Sequence, residues 1–121
     1  MSSKKALIVD DSTVTRLMIR KIITDNSGSW DIHEASSADQ AVSLLPNLPS
    51  LDVVTLDQNM PGEISGLDLA ARLQEKYPAA KIALITANIQ NAIKDKASAL
   101  GIQFIEKPIS AEKLQTLFAG T

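Results

Sequence analysis

Five short apolar runs, separated by amphipathic stretches, constrain the fold of this chain more than any other feature. The run at residues 53–56 lacks the spacing of a helix face and predicts a strand buried on both faces. Strands that alternate with helices form parallel sheets through right-handed crossovers, so we expect an α/β fold with helices on both faces. The predicted strands cover residues 6–9, 30–35, 53–56, 81–86 and 103–106. The second run alternates only weakly and predicts an edge strand.

Serine residues at four positions predict the starts of helices, because their hydroxyls can cap unpaired backbone N–H groups. These are Ser12, Ser37, Ser65 and Ser110. Gln40 and Asp68 complete capping-box patterns with the second and third of them. The predicted helices cover residues 12–26, 37–45, 89–100 and 110–118, with another between Ser65 and Pro78. Gly101 is placed to end the fourth helix in a left-handed conformation.

The apolar residues of the helices predict which faces enter the core. In the first helix the expected stripe consists of Val14, Leu17, Met18, Ile22 and Ile23, and we also expect Trp30 to be a core residue. In the last helix the expected stripe is Leu114, Leu117 and Phe118. A turn at residues 26–29, containing Gly28, separates the first helix from the second strand.

Composition narrows the class of protein. The 121 residues, 45% of them hydrophobic, suffice for one compact domain over residues 1–121. A net charge of −2 gives no basic surface for nucleic acid or membranes. There is no cysteine, which excludes disulfides, thiolate catalysis and cysteine-ligated zinc. The apolar run after Lys4 and Lys5 is too short for a signal peptide, so we expect a cytoplasmic protein.

Polar residues follow four of the five predicted strands. We expect the strand order 2-1-3-4-5, one of the two common doubly wound orders and that of flavodoxin-like folds, which places strands 1, 3, 4 and 5 side by side. Their carboxyl ends then deliver polar side chains to one edge of the sheet: Asp10, Asp11, Asp57, Thr86 and Lys107. Because neighbouring strands lie about 4.8 Å apart, these groups can share one pocket.

Three carboxylates in one pocket repel one another, and a hard divalent cation would neutralise their charge. Mg²⁺ prefers oxygen ligands and keeps several waters, so two carboxylates and a backbone carbonyl suit it. The metal and Lys107 could then neutralise a phosphoryl group delivered to Asp57, while the Thr86 hydroxyl bonds one of its oxygens. In this hypothesis Asp57 is the nucleophile.

Five segments that contain these residues resemble the receiver domains of two-component response regulators. They are residues 8–12 (Ile-Val-Asp-Asp-Ser), 35–41 (Ala-Ser-Ser-Ala-Asp-Gln-Ala), 56–62 (Leu-Asp-Gln-Asn-Met-Pro-Gly), 85–87 (Ile-Thr-Ala) and 104–108 (Phe-Ile-Glu-Lys-Pro). The resemblance covers essentially the whole chain, in order and with the right spacing. It implies that Asp57 is the phosphoacceptor and that a sensor histidine kinase supplies the phosphoryl group from a phosphohistidine. The protein would then promote its own phosphorylation and dephosphorylation without turning over an external substrate.

The resemblance also assigns the metal and switch residues. It implies that Asp11, Asp57 and the backbone carbonyl of Asn59 bind Mg²⁺, with Asp10 holding the ion through water. Lys107 would contact the phosphoryl group, and Thr86 would act as the switch residue.

Phe104 is the large side chain nearest to Thr86 on the predicted fifth strand. We expect it to turn inward when Thr86 moves toward the phosphoryl group. The surface formed by residues 89–118 is therefore the predicted partner face. We also expect a cis peptide bond between Lys107 and Pro108, which would turn the lysine back toward Asp57.

Two features depart from the family pattern. The loop at residues 61–66 is one residue longer than usual, which affects the rim beside the metal. Position 104 is Phe where motor-binding chemotaxis regulators have Tyr, so a partner contact through that hydroxyl is lost.

Two other classes of protein share this type of fold. A Mg²⁺-dependent phosphohydrolase with an aspartyl nucleophile typically places that residue after the first strand, in an Asp-x-Asp pattern. Here Asp57 follows the third predicted strand, and Asn59 stands where the second acid would be. A flavin-binding module would need a phosphate-binding glycine loop after the first strand and more aromatic residues than this chain has.

Overall fold

The computed structural model describes residues 4–26 and 29–118, without the side chains of residues 26, 116 and 118. Five strands alternate with five helices: β1 (Lys4–Val9), α1 (Thr13–Asn26), β2 (Trp30–Ala35), α2 (Ala38–Leu44), β3 (Val53–Leu56), α3 (Gly66–Lys76), β4 (Lys81–Thr86), α4 (Asn91–Leu100), β5 (Gln103–Glu106) and α5 (Ala111–Phe118). A short 3₁₀ helix, Leu45–Asn47, follows α2. The predicted turn at residues 26–29 falls partly outside the described residues.

All neighbouring strands pair in parallel, in the order β2-β1-β3-β4-β5. The predicted fold class and strand order are therefore confirmed. The half-buried strand β2 lies at an edge, whereas every residue of β3 is buried in the middle of the sheet. No helix among the described residues is long and apolar enough to span a bilayer.

The sheet separates two hydrophobic cores. One core, beneath α2, α3 and α4, contains Leu7, Val54 and Leu84 from the strands and Leu69 and Leu73 from α3. The other lies beneath α1 and α5 and includes strand residues such as Ile8 and Ile85. Successive side chains of a strand point to opposite faces, so a strand covered on both faces is apolar throughout. This arrangement explains why the central strands show no polar alternation.

The predicted apolar stripe of α1 is partly wrong. Val14, Leu17 and Met18 are 66%, 56% and 43% exposed, whereas Ile19 and Ile23 are fully buried. The helix has apolar residues around more than half of its circumference, so their spacing alone does not fix its rotation. The rotation found here brings two arginines of the helix onto Glu34 of β2: Arg16 and Arg20.

Other core predictions have mixed outcomes. Ile22 and Trp30 pack against the core beneath α1 and α5 but are only partly buried. Leu114 and Leu117 are fully buried, as predicted, while the side chain of Phe118 lies outside the described residues.

The predicted helix caps are largely confirmed. Ser65 and Asp68 form a complete capping box, and Gly101 ends α4 with a φ of 75°. Ser37 accepts a hydrogen bond from the backbone N–H of Gln40, but the Gln40 side chain accepts from Ser36 rather than from Ser37. The capping box predicted for Ser37 and Gln40 therefore forms only in part, because its return bond goes to the residue before the N-cap.

Helix α4 starts two residues later than predicted. Residues 89 and 90 belong to a loop in which the Asn88 side chain accepts a hydrogen bond from the backbone N–H of Gln90, at 3.3 Å. Side chains of this type stabilise turns at the expense of helix. Strand β1, in contrast, begins two residues earlier than predicted, because Lys4 pairs with Trp30 of β2.

Candidate functional site

Asp57 lies immediately after β3 and is only 7% exposed. Its backbone N–H donates to the carbonyl oxygen of Val9 at 3.0 Å, which extends the pairing of β3 with β1 by one residue. One of its carboxylate oxygens accepts a weak bond of 3.4 Å from the backbone N–H of Asn59. The carboxylate is therefore presented from the buried centre of the sheet.

Helix α3 begins against the backbone of Asp57. A Cβ atom on Gly66 would overlap the carbonyl oxygen of Asp57, so only glycine fits at this position. The Gly66 N–H donates to the carbonyl of Gln58 at 3.3 Å, and the Gln58 side chain accepts from the Leu67 N–H at 2.9 Å. The backbone of Asp57 is therefore held by the sheet through its N–H and by the start of α3 through the packing against its carbonyl group.

Asp10, Asp11 and Asp57 form an acidic cluster. One carboxylate oxygen from each lies within 4.8 Å of the other two. Asp10 is 2% exposed and accepts a bond of 2.9 Å from the Ser12 N–H, whereas Asp11 is exposed. The predicted convergence of the β1 and β3 ends is thus present.

Lys107 lies against the two buried carboxylates. Its ammonium nitrogen lies 3.0 Å from an oxygen of Asp10 and 3.1 Å from an oxygen of Asp57. The peptide bond to Pro108 is cis, as predicted. The Lys107 N–H also donates to the carbonyl of Thr86 at 3.0 Å, which extends the pairing of β5 with β4.

Burial and charge shift the pKa values of Asp10 and Lys107. Burial raises the pKa of Asp10, although the Ser12 N–H and Lys107 partly counteract it. Burial of Lys107 lowers its pKa, but the bonds and charges of Asp10 and Asp57 outweigh that effect and leave the pKa raised. One ammonium cannot neutralise three carboxylates, so the cluster favours an additional cation.

Thr86 ends β4 and is 1% exposed. Its hydroxyl accepts a hydrogen bond of 3.1 Å from the Asn88 N–H. The Asn88 side chain in turn donates to the side chain of Asn59 at 3.3 Å, linking the loop after β4 to the loop after β3. Thr86 is therefore connected to the rim of the acidic cluster through exposed amides.

The comparisons with known proteins agree with this geometry. A family model described as "Response regulator receiver domain" matches residues 6–119. The chain belongs to the response regulator receiver family.

Curated relatives of the receiver include two chemotaxis proteins named CheY. The protein from Listeria monocytogenes is 35% identical over 111 residues, covering 91% of each chain. The protein from Thermotoga maritima is 35% identical over 112 residues, covering 92% of this chain and 91% of that protein. Among solved structures, CheY4 of Vibrio cholerae superimposes with a TM-score of 0.78 at 25% identity, covering 95% of both chains.

Receiver domains of two-component systems interact with histidine kinases or phosphotransfer proteins. The family match therefore does not favour the phosphohydrolase alternative. The matched residues 6–119 include all five segments that resemble receiver domains.

The receiver's acidic cluster fits Mg²⁺ on its own chemistry. The donors are carboxylate oxygens, which this hard cation prefers, and Asp11 is open to solvent, which leaves room for metal-bound waters. The backbone carbonyl of Asn59 remains a predicted fourth ligand.

Phe104 of the receiver is half-buried in β5 rather than fully exposed. Its ring packs against the core beneath α2, α3 and α4, and the ammonium of Lys94 lies 5.7 Å from the ring centre. The predicted inward movement would therefore start from an intermediate position.

Three residues near the site have no predicted role. The sequence places Gly66 only in a loop and indicates nothing for Asn88 or for Arg16, which contacts the carbonyl of Asp10. The glycine next to a predicted N-cap offered a signal for close packing. The Asn88 contact depends on how two distant loops meet, and the Arg16 contact depends on the rotation of α1, and neither is shown by a local pattern.

Proposed function

We propose that this receiver accepts a phosphoryl group on Asp57 in a Mg²⁺-dependent reaction and thereby changes a partner-binding face. The observation that carries the proposal is the contact of the Asp57 carboxylate with Lys107, at 3.1 Å, within a cluster of three acids. A nucleophile, a fixed cation and a set of metal ligands therefore meet at one sheet edge.

The donor we propose is the phosphohistidine of a sensor histidine kinase or a phosphotransfer protein. A carboxylate oxygen of Asp57 attacks the phosphorus, the phosphorus–nitrogen bond breaks, and the bonding pair leaves with the histidine ring. Little covalent chemistry falls to the protein, since phosphoryl transfer depends mainly on positioning and charge stabilisation. The Lys107 ammonium is placed to bind an oxygen of the transferred group.

Asp10, Asp11, Asp57 and the carbonyl of Asn59 are the residues that would hold Mg²⁺. When bound, the ion supplies positive charge that neutralises the phosphoryl oxygens. The chain's own part is to hold the acids together against their mutual repulsion. The contact of Lys107 with both buried acids accomplishes this.

The proposed response begins at Thr86. An aspartyl phosphate offers new acceptor oxygens, and the Thr86 hydroxyl can donate to one of them by moving toward the site. This movement would open space behind β4 that the half-buried ring of Phe104 can fill. The regulated face would then comprise residues 89–118, including α4, β5 and α5.

The downstream partner on this face is proposed to be a protein. A net charge of −2 gives no support for nucleic acid or membrane binding. We place the reaction in the cytoplasm, which is consistent with a chain that has no cysteine.

Incubation with a small-molecule phosphodonor tests the proposal. With Mg²⁺ present, intact mass should increase by one phosphoryl group, and EDTA or the Asp57→Asn substitution should prevent the increase. Asp31→Asn, which removes an exposed acid on the edge strand β2, is the matched control and should be phosphorylated normally. Unchanged incorporation in Asp57→Asn would show that Asp57 is not the acceptor.

A further inference from the structure

Arg16 lies outside the acidic cluster but binds the main chain that carries it. In the first turns of α1, its Nη1 donates to the carbonyl oxygen of Asp10 at 2.5 Å, and its Nη2 donates to the hydroxyl of Thr13 at 3.3 Å. Its Nε donates to Glu34 at the end of β2, at 3.1 Å. The side chain is only 16% exposed, so the guanidinium is largely enclosed by the groups that it binds.

The carbonyl that Arg16 binds belongs to the peptide unit between Asp10 and Asp11. A peptide unit is planar, so fixing its oxygen fixes the direction in which the chain continues into Asp11. Asp11 itself is exposed, and its carboxylate is therefore placed by its backbone more than by packing. The contact therefore influences the position of Asp11, the one acid of the cluster that is not buried.

The other polar groups of Asp10 are already occupied. Its N–H donates to the carbonyl of Ala35, one carboxylate oxygen accepts from Ser12, and the other accepts from Lys107. The carbonyl contact with Arg16 completes this set. Every hydrogen-bonding group of Asp10 thus has a partner, and the partners come from several different elements.

Glu34 orients the Arg16 side chain. Its two carboxylate oxygens bind two arginines of α1, at 3.1 Å to Arg16 and 2.7 Å to Arg20. A guanidinium is planar and donates in fixed directions, so an anchored Nε also fixes where Nη1 points. A lysine at position 16 could reach one of these acceptors but could not bridge them with the same geometry.

We infer that Arg16 is a positioning residue for the Mg²⁺ site, acting through the peptide unit between Asp10 and Asp11. This inference rests on the proposed function, since it concerns the same metal site. Arg16 holds the backbone in the orientation that presents Asp11 to the cation. Glu34 supports this role by fixing the guanidinium.

Two methionine variants separate this role from general stabilisation. Arg16→Met and Arg20→Met each remove one ion pair with Glu34, but of the two arginines only Arg16 is bonded to the Asp10 carbonyl among the described residues. Titration calorimetry of the metal-free protein with Mg²⁺ should show about tenfold weaker binding in Arg16→Met, as is typical when a group that orients metal ligands is lost. Arg20→Met should bind Mg²⁺ like the wild type.

Two further measurements do not depend on activity. The backbone amide signals of Asp11 and Ser12 should shift in metal-free Arg16→Met and stay in place in Arg20→Met. Arg16→Lys should give an intermediate Mg²⁺ affinity, and this variant decides the question where Arg16→Met does not fold. At saturating Mg²⁺, phosphorylation of the Arg16 variants should return close to the wild-type rate.

These experiments distinguish an error about Arg16 from an error about the proposed function. Wild-type protein that binds no Mg²⁺ or takes no phosphoryl group would overturn both. Normal wild-type behaviour together with unchanged Mg²⁺ affinity in Arg16→Met and Arg16→Lys would overturn only the role of Arg16. Equal weakening in Arg16→Met and Arg20→Met would assign the effect to the Glu34 ion pairs instead.

Discussion

On one side of the pocket, the ammonium of Lys107 joins Asp10 and Asp57 at 3.0 and 3.1 Å, and both acids are buried. On the other side, the loop at residues 87–90 is connected to the rim by a 3.3 Å bond between two amide side chains, Asn88 and Asn59. Breaking bonds between buried charged groups is costly, whereas an exposed amide exchanges its partner for water at little cost. We call the first the fixed side, which holds the groups proposed to react, and the second the yielding side, which can change after the proposed reaction.

The largest expected effect comes from removing the Thr86 hydroxyl, which accepts a bond from the Asn88 N–H of the loop on the yielding side. Thr86→Ala should still be phosphorylated, because Asp57 and Lys107 are intact, but it should not transmit the change to Phe104. With a phosphoryl analogue and Mg²⁺, amide spectra of the wild type should show shifts around Phe104 and almost none in α1. Thr86→Ala should lose most of these shifts, and Thr86→Ser, which keeps the hydroxyl, should retain them. A full response in Thr86→Ala would remove Thr86 from the mechanism.

Gly66→Ala tests whether the backbone around Asp57, on the fixed side, can shift to accommodate a methyl group. The added methyl group would overlap the carbonyl oxygen of Asp57, and overpacking of this kind costs on the order of 1–3 kcal/mol. Urea denaturation should therefore show a clear loss of stability, accompanied by slower phosphorylation. Gly101→Ala is the control, since its Cβ would meet no atom within 4 Å although its φ is 75°. Its stability should also fall, by about 1–2 kcal/mol, because alanine is strained at a positive φ, but its phosphorylation should be unchanged.

Asp10→Asn measures the free-energy cost of keeping a buried carboxylate at this position on the fixed side. Burial raises the pKa of Asp10 above its ordinary value of 3.8, so the ionised form is disfavoured in the folded protein. In EDTA, the variant should be more stable than the wild type at neutral pH. This advantage should shrink as the pH falls through the raised pKa toward 3.8, because protonation then relieves the wild type as well.

The pH series has a matched control in Asp11→Asn, since Asp11 is exposed. The stability of that variant should stay close to that of the wild type. An Asp10→Asn protein that is less stable than the wild type at neutral pH would show that the Lys107 ion pair outweighs the burial of the acid.

The smallest effect is expected from Asn88→Ala, on the yielding side. The substitution removes the exposed bonds to Asn59 and to the Gln90 N–H but keeps the backbone bond to Thr86, so the free energy of unfolding should fall by about 1 kcal/mol or less. Chemical denaturation measures this directly. A loss as large as that of Gly66→Ala would contradict the division of the pocket into a fixed and a yielding side.

The sequence was sufficient to predict the sheet and the convergence of Asp10, Asp57 and Lys107. Buried parallel strands are apolar throughout, and their carboxyl ends share one edge, so both inferences follow from local patterns and one topological rule. The strand order and the cis bond at Pro108 agree with what was expected.

The rotation of α1 and the contact of Arg16 with Asp10 could not be predicted in the same way. Six apolar residues on one helix are compatible with more than one buried face, and the rotation found here buries Ile19 and Ile23 while pairing Arg16 and Arg20 with Glu34. The start of α4 was misplaced because the hydrogen bonds of Asn88 compete with the first helical turn. Both errors come from contacts between residues or loops that local periodicity does not report.

Identification of the modified residue shows directly whether Asp57 is the phosphoacceptor. Wild-type protein phosphorylated in the presence of Mg²⁺ can be treated with borohydride, which reduces an aspartyl phosphate to homoserine, and then digested for peptide mass analysis. We expect reduction at Asp57 and at no other acid, with no product when EDTA is present. Reduction at Asp10 or Asp11, or a stable phosphate on a serine or threonine, would contradict it.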